Sequence, residues 1–368
     1  MRILFLEPFF GGSHRDFAEG LAANSGCRVD LLTLPPRFWK WRMRGAALHF
    51  VRKIADLSVY DGLLVTSLMS LADFKALSGP RCPPALVYFH ETQLTYPLAP
   101  GERMDYHFGF TDITTALAAD RVLFNSRTHM ESFFDRLPGF LKMMPEYRPG
   151  WVVEAIRRKA DFLHPGCRFP ARMKLSEPAQ GPPLIIWNHR WEFDKDPGTF
   201  FQALEHIAAR GIDFRVVLLG ENYQAVPKVF LEARRRFCGR IVHYGYEPAK
   251  EAYYRWLSRG TVVVSTALQE NFGISVVEAI RHGCLPLLPA RLSYPEILPG
   301  DFHEDFLYKS PEELVLKLAR ILDDPAAFSS AREALSRAMA RHSWELAIKG
   351  FDKELARLCS LNHRESPG

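Results

Sequence analysis

Two glutamates eight positions apart, Glu270 and Glu278, and two cations five apart, Arg190 and Lys195, are the residues here best suited to a phosphorylated, hydroxyl-rich ligand. A carboxylate accepts two hydrogen bonds from neighbouring hydroxyls, as on a sugar or a ribose. A planar guanidinium beside a point-charge ammonium suits a diphosphate. Each group also has a plainer fate. An acid next to a helix N-terminus is ordinarily a dipole partner, and Arg190 can pair with Glu192 or Asp194 as a surface ion pair. His90 joins the candidates because it follows the short apolar run Ala85–Phe89. A histidine at the carboxyl tip of a buried strand faces the crevice of an α/β sheet, or else caps the strand locally.

The elements that must position these groups are legible around them. Thr261–Thr266 is a β-branched run that predicts a buried strand, Ala267–Phe272 is a polar break, and Gly273–His282 has apolar residues at helical spacing. Gly283 stops that helix and Cys284–Leu288 is a second buried strand. Glu270 therefore lies just before a helix and Glu278 inside it, at the carboxyl edge of a parallel sheet, where a helix N-terminus favours anionic phosphate. Further strands are predicted at Arg2–Pro8, Val29–Leu34, Gly62–Thr66 and Arg121–Phe124, then at Leu184–Trp187, Phe214–Leu219 and Arg240–His243. Helical patterns separate them at Arg15–Ala23, Met43–Ile54, Met104–Ala119 and Tyr147–Lys159, then at Thr199–Arg210, Pro227–Phe237 and Ala249–Ser258. Pro311–Leu322, Ala326–Arg341 and Trp344–Leu358 close the chain as helices, and residues after Leu361 are expected to fray. The Pro/Gly-rich stretch Pro165–Pro183 has no period and divides the alternation in two. Two doubly wound domains follow, 1–167 and 184–342, joined by a linker at 168–183, with a ligand cleft expected between them.

Composition bounds the class. A chain of 368 residues is too long for one ordinary core, and 47% hydrophobic with 24% charged residues describes a soluble globular protein. The apolar run Leu63–Leu71 is broken by Thr66, Ser67 and Ser70, so no membrane span is expected. Met1–Phe10 meets Glu7 and Pro8 before any long apolar region and reads as a first strand, not a signal. The six cysteines include no CxxC pair and the thirteen histidines no metal-ligand spacing, which favours a reducing compartment and no zinc cluster. Gly11-Gly12 in the loop Phe9–His14 lets backbone approach a ligand or simply makes a sharp turn, and it is no dinucleotide fingerprint. The net charge of +5 is unevenly spread: Leu31–Ala55 holds Arg37, Lys40, Arg42, Arg44, Arg52 and Lys53 and no acid. Phe38, Trp39 and Trp41 interleave with them, a pattern for stacking on bases while cations meet phosphate, or for a solvated face.

Taken in order, Arg190 and Lys195, the turn Gly245-Tyr246-Glu247-Pro248, and Glu270 with Glu278 resemble the donor-domain series of retaining GT-B glycosyltransferases. Five further segments are more specific: Phe9–His14 (FFGGSH), Trp41-Arg42, Tyr88–Pro97 (YFHETQLTYP), Phe124–Ser126 (FNS) and Trp187–Pro197 (WNHRWEFDKDP). With them nearly the whole chain resembles the tRNA-queuosine α-mannosyltransferase family. The resemblance implies two Rossmann-like domains facing each other across a cleft, with the 343–368 segment crossing back onto the first. It implies transfer of mannose from GDP-mannose to the cyclopentene-diol of queuosine in a tRNA anticodon, with retention, in the cytoplasm, and without metal or other cofactor.

Carried over residue by residue, Arg190 and Lys195 would neutralise the leaving diphosphate, helped by the backbone of Asn271, Phe272, Gly273 and Ile274. Glu270 would hold mannose hydroxyls and Glu278 the ribose, with Gly11, Gly12 and Gly245 also on the donor. His90 would lie near the sugar and the attacking hydroxyl. Ser13, His14, His90, Glu91, Asn125, Arg37, Lys40, Trp41, Arg42 and Arg44 would meet the tRNA. Neither glutamate resembles a nucleophile, so a same-face displacement through an oxocarbenium-like state is expected, a donor phosphate oxygen taking the acceptor proton. The chain departs from many GT-B enzymes at Ser293-Tyr294-Pro295-Glu296, which stands where they carry a Gly-Gly pair; Pro295 has no N–H to offer a phosphate. Two other readings fit the same residues: a GT-B enzyme with a lipid or polysaccharide acceptor, its basic block on anionic headgroups, and a non-catalytic RNA-binding protein on this fold. The oligomeric state is open.

Overall fold

The computed structural model describes residues 1–99, 101–170, 175, 181–221 and 226–362. Most of the expected linker and all but one of the residues after Leu361 lie outside them. The chain forms two units, Met1–Arg168 together with the stretch from His342, and Phe169–Arg341.

The first unit is built on six parallel strands, β1 (Arg2–Glu7), β2 (Arg28–Thr33), β3 (Gly62–Thr66), β4 (Ala85–Phe89), β5 (Arg121–Phe124) and β6 (Ala160–Phe162), in the order β2-β1-β3-β4-β5-β6. Their side chains alternate between two apolar layers, as the period of a strand requires. Leu4, Leu6, Leu63, Val65, Val87, Phe89, Val122 and Phe124 face one layer, packed by residues such as Phe50, Phe74, Ile113, Phe133 and Ile156. Ile3, Phe5, Leu64, Leu86, Tyr88 and Leu123 face the other, where Phe17 and Leu21 of the helix Gly12–Asn24 meet Trp344, Phe351 and Leu358 of the helix Trp344–Asn362. That second face would be half bare without the C-terminal helix. Polar ties fix the same docking: Asp352 accepts from Ser25 Oγ and the Gly26 N–H at 2.5 and 2.9 Å, and Arg121 Nε and Nη2 both donate to Glu354 Oε2 at 3.0 and 2.7 Å. Gly20 and Gly166 lie so close to the Trp344 indole that a Cβ at either would collide with it. Trp344→Ala is therefore expected to cost ~3–5 kcal/mol, read as a lower denaturation midpoint by far-UV circular dichroism.

The second unit repeats the plan with β7 (Leu184–Trp187), β8 (Arg215–Leu218), β9 (Ile241–Tyr244), β10 (Val262–Val264), β11 (Leu285–Pro289) and β12 (Leu307–Tyr308), ordered β12-β11-β10-β7-β8-β9 and again all parallel. In each sheet every carboxyl end therefore lies along one edge, and there ligands of such sheets bind. Among the described residues no helix is long and apolar enough to cross a membrane.

Several elements differ from the sequence expectation. The edge strands β6 and β12 have three and two residues, too short to carry a period. The predicted helix Tyr147–Lys159 shrinks to Trp151–Arg157, its end passing into β6, and the helix expected from Met43 begins at Trp39. The helix Arg127–Lys142 carries Pro138 in its interior, which masked it in the sequence; Phe133, Phe134, Leu137, Phe140 and Leu141 bury its inner face and outweigh the lost backbone bond.

Candidate active site

In the second unit the chain leaves β7 at Trp187 and makes one 3-10 turn at Phe193–Lys195. Asp196, in left-handed backbone (φ 45), then caps the helix Pro197–Ala209, accepting from the N–H and hydroxyl of Thr199 at 3.2 and 2.7 Å. This turn drives Lys195 inward until it is 6% exposed. Its Nζ donates to Gln269 O at 2.6 Å and to Glu270 Oε2 at 3.3 Å, and lies 3.3 Å from Asp194 Oδ2. The N–H groups of Leu268 and Gln269 return bonds to Asp194 O at 2.8 and 3.2 Å, so the two loops are stitched together. Burial alone would raise the Glu270 carboxyl, but the charge and hydrogen bond of Lys195, with Arg190 beyond it, outweigh burial and hold it below the usual range. Burial and Lys195 push His189 down to about 4, leaving a neutral ring that donates Nε2–H to Val264 O at 3.3 Å.

Arg190 makes the ion pairs that its plainer expectation gave it. It pairs with Glu192 Oε2 at 3.0 Å, and its guanidinium also approaches Asp194 Oδ2 at 3.9 Å, the oxygen that faces Lys195. Asp194 is fully buried and its carboxylate oxygens accept no hydrogen bond among the described residues, so it is held by these cations alone.

The loop before the helix Ile274–Arg281 is braced from below. Arg291 donates to Ala267 O at 3.3 and 3.1 Å, Ser293 Oγ to Phe272 O at 2.9 Å, and Gln269 Nε2 to Asn271 Oδ1 at 2.8 Å. Gly273 (φ 96) takes the left-handed conformation that opens the helix, and its carbonyl receives Val276 and Val277 N–H, both at 3.0 Å. The first amides of that helix have no partner within it, which makes an anion site at the sheet edge. The Ser293–Glu296 segment folds into the short helix Tyr294–Ile297, with Pro295 in a first turn that needs no N–H. Tyr294 is fully buried on Ser265 Oγ at 2.6 Å. This segment supports the Glu270 loop.

Glu278 is 4% exposed and already well served. Lys250 Nζ and Tyr254 OH donate to its Oε1 at 3.1 and 3.5 Å and Tyr253 OH to its Oε2 at 3.1 Å. Asn188 Nδ2 donates to Tyr253 OH at 3.0 Å and to Ser275 O at 2.7 Å, tying the end of β7 to the same helix. Burial and the Glu278 charge push the Tyr253 phenol well above its usual range. Gly245 (φ 127) makes the turn after β9, its N–H on Leu218 O at 3.0 Å.

The first unit gathers its candidates at the carboxyl ends of β1, β3 and β4. Glu7 is completely buried; it accepts from Phe9 N–H at 2.8 Å, from Thr66 Oγ1 at 2.9 Å and from His14 Nδ1 at 3.2 Å. The other His14 nitrogen, Nε2, meets Glu91 Oε2 at 3.3 Å. Burial opposes charge on His14, but the two carboxylates prevail and raise it to about 10. The His90 ring packs against His14 at 4.1 Å between centroids, tilted by 38°, and burial together with the His14 charge pushes it well below its usual range, so His90 is neutral. Asn125 is committed behind it: Nδ2 donates to His90 O at 2.9 Å and Oδ1 faces His129 Nδ1 at 2.8 Å. At Gly11 the close neighbour is Pro36, against which a Cβ would clash, while Gly12 and Ser13 are exposed at the helix start. Glu7, His14 and His90 each offer a possible metal-ligand atom, all within 4.8 Å of one another. Both His14 nitrogens face carboxylates, however, which describes a clamped imidazolium and not lone pairs converging on a cation.

The basic block becomes the start of the helix Trp39–Lys53. Phe38, in left-handed backbone (φ 58), directs its ring outward, Trp41 is 78% exposed, and Arg37, Lys40 and Arg44 are exposed around them. Arg42 is half-withdrawn onto Pro35 O at 3.4 Å. Phe9, Trp39, Met43, Leu68 and Phe108 pack into one small cluster that joins this helix to the FFGGSH loop.

Sequence reasoning missed Glu7, which looked like a charge interrupting an apolar strand, and it missed Lys250, Tyr253, Tyr254 and Arg291. The first three of the latter group share a helical face, the one signal that was available.

Two Rossmann-like halves, one with paired cations and paired glutamates along its carboxyl edge, define a glycosyltransferase of the GT-B class. The chain superposes on the sucrose-phosphate synthase of Thermosynechococcus elongatus with a TM-score of 0.73 at 17% identity, over 98% of this chain and all of that one. Anabaena HepE in complex with UDP gives 0.65 at 14% identity, over 98% and 100%. Residues 2–167 match the family model for the tRNA-queuosine alpha-mannosyltransferase N-terminal region and residues 171–342 that for glycosyl transferases group 1. A Drosophila melanogaster tRNA-queuosine alpha-mannosyltransferase is 35% identical over 343 residues, 90% of this chain and 89% of that protein. The chain belongs to the tRNA-queuosine alpha-mannosyltransferase family.

Proposed function

We propose that this protein transfers mannose from GDP-mannose to the cyclopentene-diol of queuosine in a tRNA anticodon, with retention, in the cytoplasm. The carrying observation is the Lys195–Glu270 pair, 3.3 Å apart with Lys195 buried and Glu270 half-buried, set just before the helix that Gly273 opens, in a chain of this family. In this reading Arg190, Lys195 and the amides of Phe272–Ile274 hold the diphosphate, Glu270 the mannose hydroxyls and Glu278 the ribose. The C1–O bond to phosphate breaks as the acceptor oxygen bonds C1 from the same face, and a donor phosphate oxygen takes the acceptor proton. Charge developing on the leaving group meets two cations and a helix N-terminus, the chemistry that a metal supplies elsewhere, so no metal requirement is proposed. The neutral His90 serves as a hydrogen-bonding group and not as a charged acid.

The test is transfer of label from GDP-mannose, with and without chelator, to tRNA containing or lacking queuosine. Label on the queuosine tRNA alone, undiminished by chelator, supports donor, acceptor and metal independence; label on neither, or on both alike, rejects the acceptor. The exposed cations give a second expectation. Changing Arg37, Lys40 and Arg44 together to Ala should weaken tRNA binding about equally across sequences and flatten the salt slope by roughly one for each cation. An unchanged slope in a filter-binding titration would return this helix start to a solvated face.

A further inference from the structure

Asp194 has no part in the donor contacts proposed above, yet both cations of that site meet one of its oxygens. Asp194 Oδ2 lies 3.3 Å from Lys195 Nζ and 3.9 Å from Arg190 Nη2. Asp194 has no exposed surface, and among the described residues neither of its carboxylate oxygens accepts a hydrogen bond. A buried carboxylate is costly unless hydrogen bonds satisfy it, so packing alone gives no reason for one here. Nor does the backbone. The N–H groups of Leu268 and Gln269 bond to the Asp194 carbonyl, which any residue supplies. Lys195 is oriented without it, since Gln269 O at 2.6 Å and Glu270 Oε2 at 3.3 Å fix the ammonium from the other loop. What remains is the charge.

Its position makes that charge effective. Glu192, which also pairs with Arg190, keeps 33% of its side chain in solvent, and water weakens its field; Asp194 has no such screening. A diphosphate seated on Arg190 and Lys195 therefore shares both cations with an unscreened carboxylate. The repulsion grows as the reaction runs. When the bond between the sugar and the phosphate breaks, its electron pair stays on the terminal phosphate. Once the acceptor proton taken there has passed to water, the product carries one more negative charge than the donor did. We propose that Asp194 sets the strength of the grip on the diphosphate: acting through Lys195 and Arg190, it keeps the nucleoside diphosphate product from being held too tightly to leave. This rests on the donor reading given above and adds the group that governs release.

Asp194→Asn keeps the shape and removes the charge, and Asp194→Ser does the same with a smaller side chain; thermal midpoints report whether each is folded. GDP should bind either variant about tenfold more tightly and leave it about tenfold more slowly, because an unscreened negative charge beside the phosphates is gone. Calorimetry reads the affinity, and stopped-flow displacement of a fluorescent GDP analogue reads the dissociation. The donor KM should fall by less, since the donor lacks the extra charge of the product. A purely structural role predicts the opposite sign: a loosened loop binds both ligands less well. Arg190→Ala is the control for the donor reading and should weaken GDP binding. Unchanged or weaker GDP binding by the folded Asp194 variants, with Arg190→Ala weakened as expected, overturns the inference and leaves the donor reading intact. Equal gains on GDP and on the donor overturn the link to release. A wild type that does not bind GDP, or GDP binding indifferent to Arg190→Ala, overturns both.

Discussion

Lys195→Ala is expected to lower kcat by about 10²–10³-fold while moving the donor KM little, because in the proposed reaction the ammonium acts mainly on charge that develops as the diphosphate leaves. The structure adds a complication that the experiment must separate. Lys195 is also the nearest counter-charge of Asp194, a carboxylate with no exposed surface; the next cation, Arg190, lies 3.9 Å away. Breaking a buried pair by removing one member costs ~3–5 kcal/mol, so the single variant should be destabilised as well as inactive. The double variant Asp194→Asn, Lys195→Ala removes both charges and is expected to recover most of the stability and none of the turnover. Steady-state kinetics and thermal midpoints on the two variants decide the matter. Turnover that returns with stability would reduce Lys195 to a structural cation.

The parts of this site that the sequence displayed are those encoded locally. Strand, polar loop, glycine and helix follow one another between Thr261 and Pro289, so Glu270 and Glu278 could be placed at a sheet edge from periodicity alone. Gly62–Thr66, Ala85–Phe89, Arg121–Phe124 and Leu184–Trp187 were legible for the same reason and form β3, β4, β5 and β7 with those bounds. What escaped depends on sheet order. Glu7 and Thr66 are 59 positions apart and meet only because β1 and β3 are neighbours, and Glu91 reaches His14 across 77 positions by the same route. Lys250, Tyr253 and Tyr254 show a common face, yet nothing in their spacing says that the face turns to Glu278. Gly11 was ambiguous between ligand approach and packing, and the neighbour it accommodates is Pro36. The twofold alternation of β1 shows that both faces of the sheet are buried, but not that Trp344, more than three hundred positions on, covers one of them.

Glu278→Ala should act on the other side of the kinetic scheme, raising the donor KM about a hundredfold and leaving kcat within a few-fold. A ribose bound through its two hydroxyls is held equally in ground and transition states, and interactions of that kind set KM. Two hydrogen bonds to a charged acceptor, each contributing ~1.5–3 kcal/mol, are ample for a change of this size. The neighbours decide how clean the variant is. Lys250, 43% exposed at its side chain, can turn to water once its 3.1 Å partner is gone. Tyr253 remains anchored by Asn188 at 3.0 Å, so the pocket wall should hold. Glu278→Gln keeps one acceptor and should fall between Ala and wild type. A cycle with a donor lacking both ribose hydroxyls tests the assignment directly: wild type should lose as much on that donor as Glu278→Ala loses on the natural one, and the variant should not distinguish the two donors. Additive losses would place the ribose elsewhere and leave Glu278 as the anchor of Lys250 and the two tyrosines.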